Sequence, residues 1–321
     1  MNRRESLLTL FGALSAAAQG EDPIVETHVH LFSDDVSRFP GAPGWKVLPS
    51  PLEKYLAFAK KAGIAHAIHV TAEPYQDDLR YLEHTLESAP KGVLKGTLLL
   101  DPILEETPKR MADYVKRHPG KIVAMRIHCT RGRDVAPTTS GPLRDRDLLH
   151  PGVEKCWKAA GDLGIAIQAH IQPWFAPQVA KYAVECPATR VIIDHFGHAG
   201  VSGAVKTASG DWSLTNGERG YRDLKDFDSV LHLAKFPNVV LKVSGLQYSS
   251  REDFPHADVK GLARKAFDAF GPDRMVWGSL GASPERFKAT ATIFDTNFDF
   301  LSAADRSKIR GLSAKRLFSF A

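Results

Sequence analysis

The sequence predicts a single (β/α)₈ barrel, a closed ring of eight parallel strands with helices between them. Eight short apolar or β-branched runs recur between residues 23 and 281, and segments able to form helices separate them. No second zone of different composition follows, which favours one domain. An open, doubly wound parallel sheet is the alternative, but the first run is not followed by the glycine-rich phosphate loop that such sheets carry.

Length and composition are those of an ordinary globular protein. The 321 residues are 43% hydrophobic and 25% charged, with a net charge of +5. Lysines and arginines are scattered and nearly matched by acidic residues, so no nucleic-acid partner is expected, whereas a basic pocket for a small anion remains compatible. The cysteines, Cys129, Cys156 and Cys186, form no C-x-x-C pair and lie among apolar residues, which indicates buried thiols.

Residues 1–20, MNRRESLLTLFGALSAAAQG, form a separate segment. It contains the Arg3-Arg4 pair, an apolar run and small residues where a signal peptidase can cut. The pair resembles a twin-arginine signal, and the apolar run is too short to span a bilayer. We expect an export signal at 1–20, a barrel at 21–321 and a periplasmic or secreted protein with no membrane span; a frayed helix is the alternative.

The eight predicted strands are the runs PIVETHVHL, IAHAIHVTA, VLKGTLLLD, KIVAMRIHC, GIAIQAHIQ, RVIIDHFG, NVVLKVSG and RMVWGSLG. Two segments between them, LEKYLAFAKKAG and DDLRYLEHTLESAP, carry apolar residues at the three-to-four spacing of a helix. Gly63 and Pro90 stand where these helices are expected to end.

Alternation along each run predicts which side chains point into the barrel, because successive residues of a strand face opposite ways. In the first run Glu26, His28 and His30 share one face. The same parity places further polar residues inside or near the mouth: Thr71, Glu73, Asp101, Arg126, His128, Gln168, His170, Lys242 and Ser244. In the sixth run His195 lies on the same strand face as Ile193, while Asp194 lies on the other face.

Histidines from the first, fourth, fifth and sixth strands therefore converge at the carboxyl-terminal rim. A hydrophobic core would not need so many imidazoles there, and imidazole is a common ligand of zinc and related metals. The alternative for the first run is a half-exposed strand whose polar residues face water. The convergence favours a functional site.

The His28-x-His30 strand, His170, the IIDHFG run and the closing DRSKIRGLSAKRLFSF resemble the amidohydrolase superfamily, in its amidohydrolase-related branch of metal-dependent hydrolases, lactonases and decarboxylases. The resemblance covers residues 23–321. It implies that His28, His30 and His170 bind a divalent metal, often zinc, and that His195 assists the chemistry. Relatives usually end the eighth strand with Gly-Ser-Asp, whose aspartate ligates the metal and serves as general base. This chain has Leu280 there, which can do neither.

A metal-dependent hydrolase is the first of two functions that remain open. It would act on a small anionic ester, lactone or amide, or decarboxylate a small carboxylic acid, with a zinc-like ion on three histidines and water at the open position. His195, Glu26 and Glu73 are the candidate proton acceptors. Glu26 suits equally well a role in orienting a histidine.

Arg126, His128 and Lys242 are the candidate substrate-binding residues, since their donors suit a carboxylate or a developing oxyanion. Arg126 and Lys242 suit equally well internal salt bridges with Glu73 or Asp101.

The second function is that of an exported, non-catalytic binding protein that keeps the histidine pocket after losing its base. A pocket filled by the side chains of Leu280 and Phe196 would favour it.

Overall fold

The computed structural model describes residues 22–199 and 224–321, together with two short paired strands, Val205–Lys206 and Trp212–Ser213. The predicted export signal at 1–20 lies outside the described residues. Within the part that is described, no helix is long and apolar enough to cross a membrane.

Eight parallel strands form one sheet, in the order in which they occur along the chain. Each lies inside one of the predicted runs, so the predicted barrel is confirmed. The strands are β1 Ile24–Val29, β2 Ile64–Val70, β3 Leu94–Leu99, β4 Ile122–Cys129, β5 Ala166–Ile171, β6 Val191–Ile193, β7 Val239–Val243 and β8 Met275–Trp277.

Helices separate the strands and pack on the outside of the ring. They are α1 Leu52–Lys61, α2 Arg80–Ser88, α3 Thr107–Arg117, α4 Pro151–Asp162, α5 Ala176–Glu185, α6 Leu224–His232, α7 Lys260–Phe270, α8 Pro284–Asn297, α9 Ala303–Ser307 and α10 Ser313–Leu317. The first two are the helices predicted from apolar spacing, and they end before Gly63 and Pro90 as expected.

The ring closes between β1 and β8 through side chains. The Thr27 hydroxyl donates to the carbonyl of Trp277 at 2.7 Å, and the Ser279 amide donates to the Glu26 carboxylate at 2.9 Å. A Cβ added at Gly278 would lie 3.0 Å from Cβ of His28. The absence of a side chain at residue 278 therefore lets the two strands approach closely.

The interior of the barrel is divided between an apolar and a polar half. Apolar residues such as Val25, Ile192 and Val276 form an inner cluster with Phe318 and Phe320 from the end of the chain. The polar residues of the inner faces lie nearer the carboxyl-terminal mouth. Parallel barrels carry their active sites at this mouth, so the division points to the same end as the histidines.

The three cysteines are buried and free, as predicted.

Candidate active site

His28 and His30 lie side by side at the end of β1, with their Nε2 atoms 3.1 Å apart. Nδ1 of His30 lies 2.8 Å from the carbonyl oxygen of Val70, which can only accept, so this nitrogen carries the proton and Nε2 is free of one. Desolvation lowers the pKa of His30 to about 4 and that of His28 well below its usual value. Both are therefore neutral at neutral pH, the form that binds metals.

A second pair joins His170 of β5 to His198, which follows β6. Their Nε2 atoms are 3.0 Å apart, and Nδ1 of His198 lies 2.9 Å from the carbonyl oxygen of Ile171. Desolvation lowers the pKa of both imidazoles, that of His198 to about 4. His198 is not among the residues predicted for the site, although it lies only three residues beyond His195 in the same loop.

His195 connects the two pairs. Its ring centroid lies 4.7 Å from that of His28 and 5.3 Å from that of His170, and its Nδ1 is 2.8 Å from the Ser244 hydroxyl. The side chain reaches the site because the backbone leaves the strand geometry here: φ is +50° at His195 and +55° at Phe196. This left-handed turn explains why His195 faces the site although Ile193, on the same strand phase, packs in the outer core.

Asp194 is buried beneath the histidines and was not predicted as a site residue. Its Oδ2 accepts hydrogen bonds from Nε of Arg126 at 3.0 Å and Nε2 of Gln168 at 2.9 Å, and Oδ1 lies 3.1 Å from Nζ of Lys242. Burial opposes ionisation, but Lys242 and Arg126 hold the pKa of Asp194 below its usual range. Strand alternation puts Asp194 on the same inner face as Ile192, two residues earlier, and this is the signal that would have identified it.

Arg126 and Lys242 thus form internal ion pairs, as the alternative proposed, but with Asp194 rather than with Glu73 or Asp101. Asp101 instead binds Arg146, with Nη2 of Arg146 2.8 Å from Oδ2.

Glu73 and His128 form a hydrogen-bonded pair at the mouth. Nδ1 of His128 lies 2.9 Å from Oε1 of Glu73, whose carboxylate also accepts two bonds from Arg144. Burial opposes ionisation of Glu73, yet the hydrogen bond from His128 and the charge of Arg144 lower its pKa to about 2. A carboxylate of that pKa is a weak base, so the geometry suits Glu73 to orienting His128.

The other nitrogen of His128 points away from this pair. Its Nε2 is buried and has no hydrogen-bond partner among the described residues. Burial, followed by the charge of Arg126, lowers the pKa of His128. A neutral imidazole with an uncommitted nitrogen is therefore present at the mouth.

Glu26 lies below His28 and is fully buried. Oε1 accepts hydrogen bonds from the backbone amides of His28 and Ser279, each at 2.9 Å. Burial raises the pKa of Glu26 to about 7. Because the two amides belong to His28 in β1 and to Ser279, two residues beyond the end of β8, the contacts fit the orienting role that was the alternative for Glu26.

Metal ligands require nitrogen or oxygen atoms that converge, and two groups of described residues satisfy this. One comprises His170, His195 and His198, the other His28, Asp194 and His195; the ligand atoms within each group lie within 4.8 Å of one another. His30 belongs to neither, although its Nε2 is 3.1 Å from that of His28. Two imidazole nitrogens held by one tetrahedral ion at about 2.0–2.1 Å lie about 3.3 Å apart, so the His28–His30 pair also suits one ion.

The set of donors fits a divalent metal chemically. The imidazoles are neutral, a carboxylate lies next to them, and Nδ1 of His170 is buried without a hydrogen-bond partner in the described part of the chain. Imidazole and carboxylate together suit zinc and its first-row neighbours.

A cavity of about 310 Å³ opens above these residues. Its lining comprises His30, Phe32, Ala72, Glu73, Pro74, Arg126, His128, His170, His195, Tyr248, Leu280 and Arg286. His28, Glu26 and Lys242 lie deeper, outside the lining. This volume suits a small molecule.

Leu280 lines the cavity, with φ of +65°, a left-handed conformation that a leucine rarely adopts. Phe196 does not: it packs against Phe227 and Phe298 at 6.4 and 6.5 Å between ring centroids. Of the two side chains expected to fill the pocket of a binding protein, only Leu280 therefore contributes to it.

The parallel eight-stranded barrel and the imidazoles that converge at its carboxyl-terminal mouth together place the protein in the class of metal-dependent hydrolases. The chain belongs to the amidohydrolase family, whose model matches residues 25–320. The resemblance noted in the sequence is thereby confirmed.

Two relatives are 26% identical to this chain. An L-fucono-1,5-lactonase from Burkholderia ambifaria aligns over 72% of this chain and 68% of its own length. A 4-sulfomuconolactone hydrolase from Rhizobium radiobacter aligns over 79% of this chain and 74% of its own length. Family and relatives together identify the chain as a hydrolase of this branch.

Among solved structures, an amidohydrolase from Burkholderia multivorans with bound zinc superposes with a TM-score of 0.68. It is 17% identical and covers 93% of this chain and 100% of its own. At that identity the similarity establishes the shared barrel fold.

Proposed function

We propose that the protein hydrolyses a small anionic lactone, ester or amide and that its metal is zinc. The histidine cluster, His28, His30, His170, His195 and His198, carries this proposal because all five imidazoles are neutral and meet beneath a cavity of small-molecule size. A lactone is the favoured substrate class because both relatives described above are named for lactone hydrolysis.

The metal would be held by His28, His30 and His170, or by the group of His28, Asp194 and His195. When bound, such an ion acts as a Lewis acid that polarises a carbonyl and makes water reactive at neutral pH. Asp194 keeps its charge beside the cluster because Lys242 and Arg126 stabilise it. This proposal keeps the ligands predicted from the sequence, His28, His30 and His170. It adds His198 and Asp194 as further candidate ligands.

The proton acceptor is a separate requirement, because Leu280 has none. We assign it to Nε2 of His128, which belongs to a cavity-lining side chain and is uncommitted. Glu73 accepts from Nδ1 of His128 and so leaves Nε2 with its lone pair. An imidazole oriented by an ionised carboxylate is a recurrent general base.

A test of the proposed function begins with zinc-loaded native protein and a panel of small lactones, esters and carboxylic acids. Hydrolysis that disappears with a chelator and returns with zinc is the expected result. Leu280→Asp should then change metal affinity, because it adds a carboxylate beside the cluster. Leu280→Asn is the matched control, since asparagine tolerates the left-handed conformation equally well but adds no charge.

The binding-protein alternative has a specific observation in its favour, namely Leu280 in the lining. If zinc-loaded native protein has no activity on any member of the panel and Leu280→Asp alone acquires it, the chain is a binding protein on a hydrolase scaffold.

We also propose that the mature protein is exported to the periplasm or secreted, on the strength of Arg3-Arg4 and the apolar run that follows. Mass spectrometry of protein from its native host should find a start near residues 19–22. An intact Met1 would contradict export.

A further inference from the structure

The charged side chains that line the cavity differ in whether an oppositely charged side chain lies beside them. Arg126 is paired with Asp194, and Glu73 is paired with Arg144 and His128. Arg286 also lines the cavity; its side chain is exposed and forms no ion pair with a carboxylate among residues 22–199 and 226–321. A negatively charged ligand group would meet an uncompensated cation at Arg286, whereas at Arg126 it would compete with a buried carboxylate.

Arg286 is held at the rim by its local structure. It lies in the first turn of α8, where its backbone amide donates to Oγ of the N-cap residue Ser283 at 3.2 Å. Its side-chain stem crosses the loop after β8 at Gly281, where an added Cβ would collide with Cγ of Arg286. Gly281 thus leaves the space that this path requires.

Tyr248 brings a second donor to the same place. Nη2 of Arg286 lies 3.4 Å from the Tyr248 hydroxyl, and both side chains line the cavity. Tyr248 follows β7 on a turn that begins at Gly245, whose φ is +72°. A Cβ at Gly245 would lie 3.0 Å from both the Tyr248 ring and Cβ of His195, so this tight turn sets Tyr248 close to the histidine cluster.

We propose that the Arg286 guanidinium and the Tyr248 hydroxyl form an anion subsite that binds a carboxylate, or an oxyanion of similar shape, on the substrate. The proposal rests on the proposed function, because it places the substrate in the same cavity. A guanidinium binds a carboxylate through two parallel N–H donors, and the tyrosine hydroxyl adds a third. Arg286 and Tyr248 are therefore specificity-determining residues, and they take no part in bond cleavage.

Kinetics on a matched pair of lactones test the subsite. The probes are γ-butyrolactone, which is neutral, and its 5-carboxylate. Arg286→Gln should lower kcat/KM for the carboxylate by about tenfold or more, mainly through KM, because a charged hydrogen bond is lost. The neutral lactone should be hydrolysed as before. Lys288→Gln is the matched control, since Lys288 is exposed on the same helix and does not line the cavity.

Equal losses on both lactones, or no loss on either, would overturn the subsite while leaving the hydrolase intact. If native protein hydrolyses neither lactone, calorimetric titration with succinate and with neutral succinamide tests the subsite alone. Arg286→Gln should weaken succinate binding about tenfold and leave succinamide unchanged, and Tyr248→Phe should weaken succinate binding less. Succinate binding that is absent in native protein, or equal in native protein and Arg286→Gln, overturns it.

Discussion

Nζ of Lys242 lies 3.1 Å from Oδ1 of Asp194, and both side chains are buried at the floor of the active site. This pair joins β7 to the end of β6, and Arg126 of β4 completes it from the other side of the carboxylate. Arg126 and Lys242, which the sequence predicts to bind substrate, are here bound to Asp194. The single carboxylate of Asp194 therefore neutralises one of the two buried positive charges beneath the histidine cluster.

Asp194→Asn is expected to destabilise the protein by about 3–5 kcal/mol, because it leaves two buried cations without their carboxylate. Urea unfolding of the metal-free protein measures this. The double variant Asp194→Asn, Lys242→Met should lose less than the sum of the two single variants, since the second change removes one of the unpaired charges. Additive losses would show that the two residues are not energetically coupled.

His28→Ala combined with His30→Ala is expected to abolish stoichiometric metal binding, because both Nε2 atoms of the first pair are lost. Metal content by elemental analysis, with circular dichroism to verify the fold, provides the measurement. His66→Ala serves as control: His66 stacks on Phe320, away from the cluster. Unchanged metal in the double variant would refute the ligand assignment.

His128→Asn is expected to lower kcat by about 10²–10⁴, the usual contribution of a general base. Glu73→Gln should show part of the same loss, because Glu73 fixes the tautomer of His128. The sequence predicts that His128 binds substrate instead. If that role is the true one, the substitution will raise KM and leave kcat nearly unchanged.

His69 provides a pH prediction that is independent of the metal. Burial lowers its pKa to about 3, and its Nδ1 lies 2.9 Å from the Thr85 hydroxyl in α2. Below pH about 6.5 the unfolded chain binds a proton that the folded protein excludes, so stability falls as pH falls toward 3. His69→Gln should reduce that loss by about 1.4 kcal/mol per pH unit between pH 6 and 4.

Urea unfolding at several pH values measures the slope for native protein and His69→Gln. Above pH 7.5 His69 is neutral in both states, so the difference between the two proteins should no longer depend on pH. Parallel curves from pH 8 to 4 would contradict the assignment of a buried, neutral His69.

The barrel and the inner face of most strands follow from the order of residues along the chain. A strand has a side-chain period of two, and each strand here has one face that must be apolar to pack under helices. Alternation therefore placed His28, His170 and Lys242 inside before any contact was known. The absent carboxylate at Leu280 is implied instead by the resemblance to the amidohydrolase family, because relatives usually have an aspartate at that position.

Which of these groups meet depends on contacts between segments that are distant along the chain. His195 and His198 face the cluster because the chain turns through left-handed backbone at residues 195–198, which strand parity does not describe. Asp194 pairs with Lys242 and Arg126 across the interior, and Arg286 stays without a carboxylate partner among the described residues. Such pairings join strands far apart in the chain, and their distances depend on how the ring closes, so no local pattern contains them.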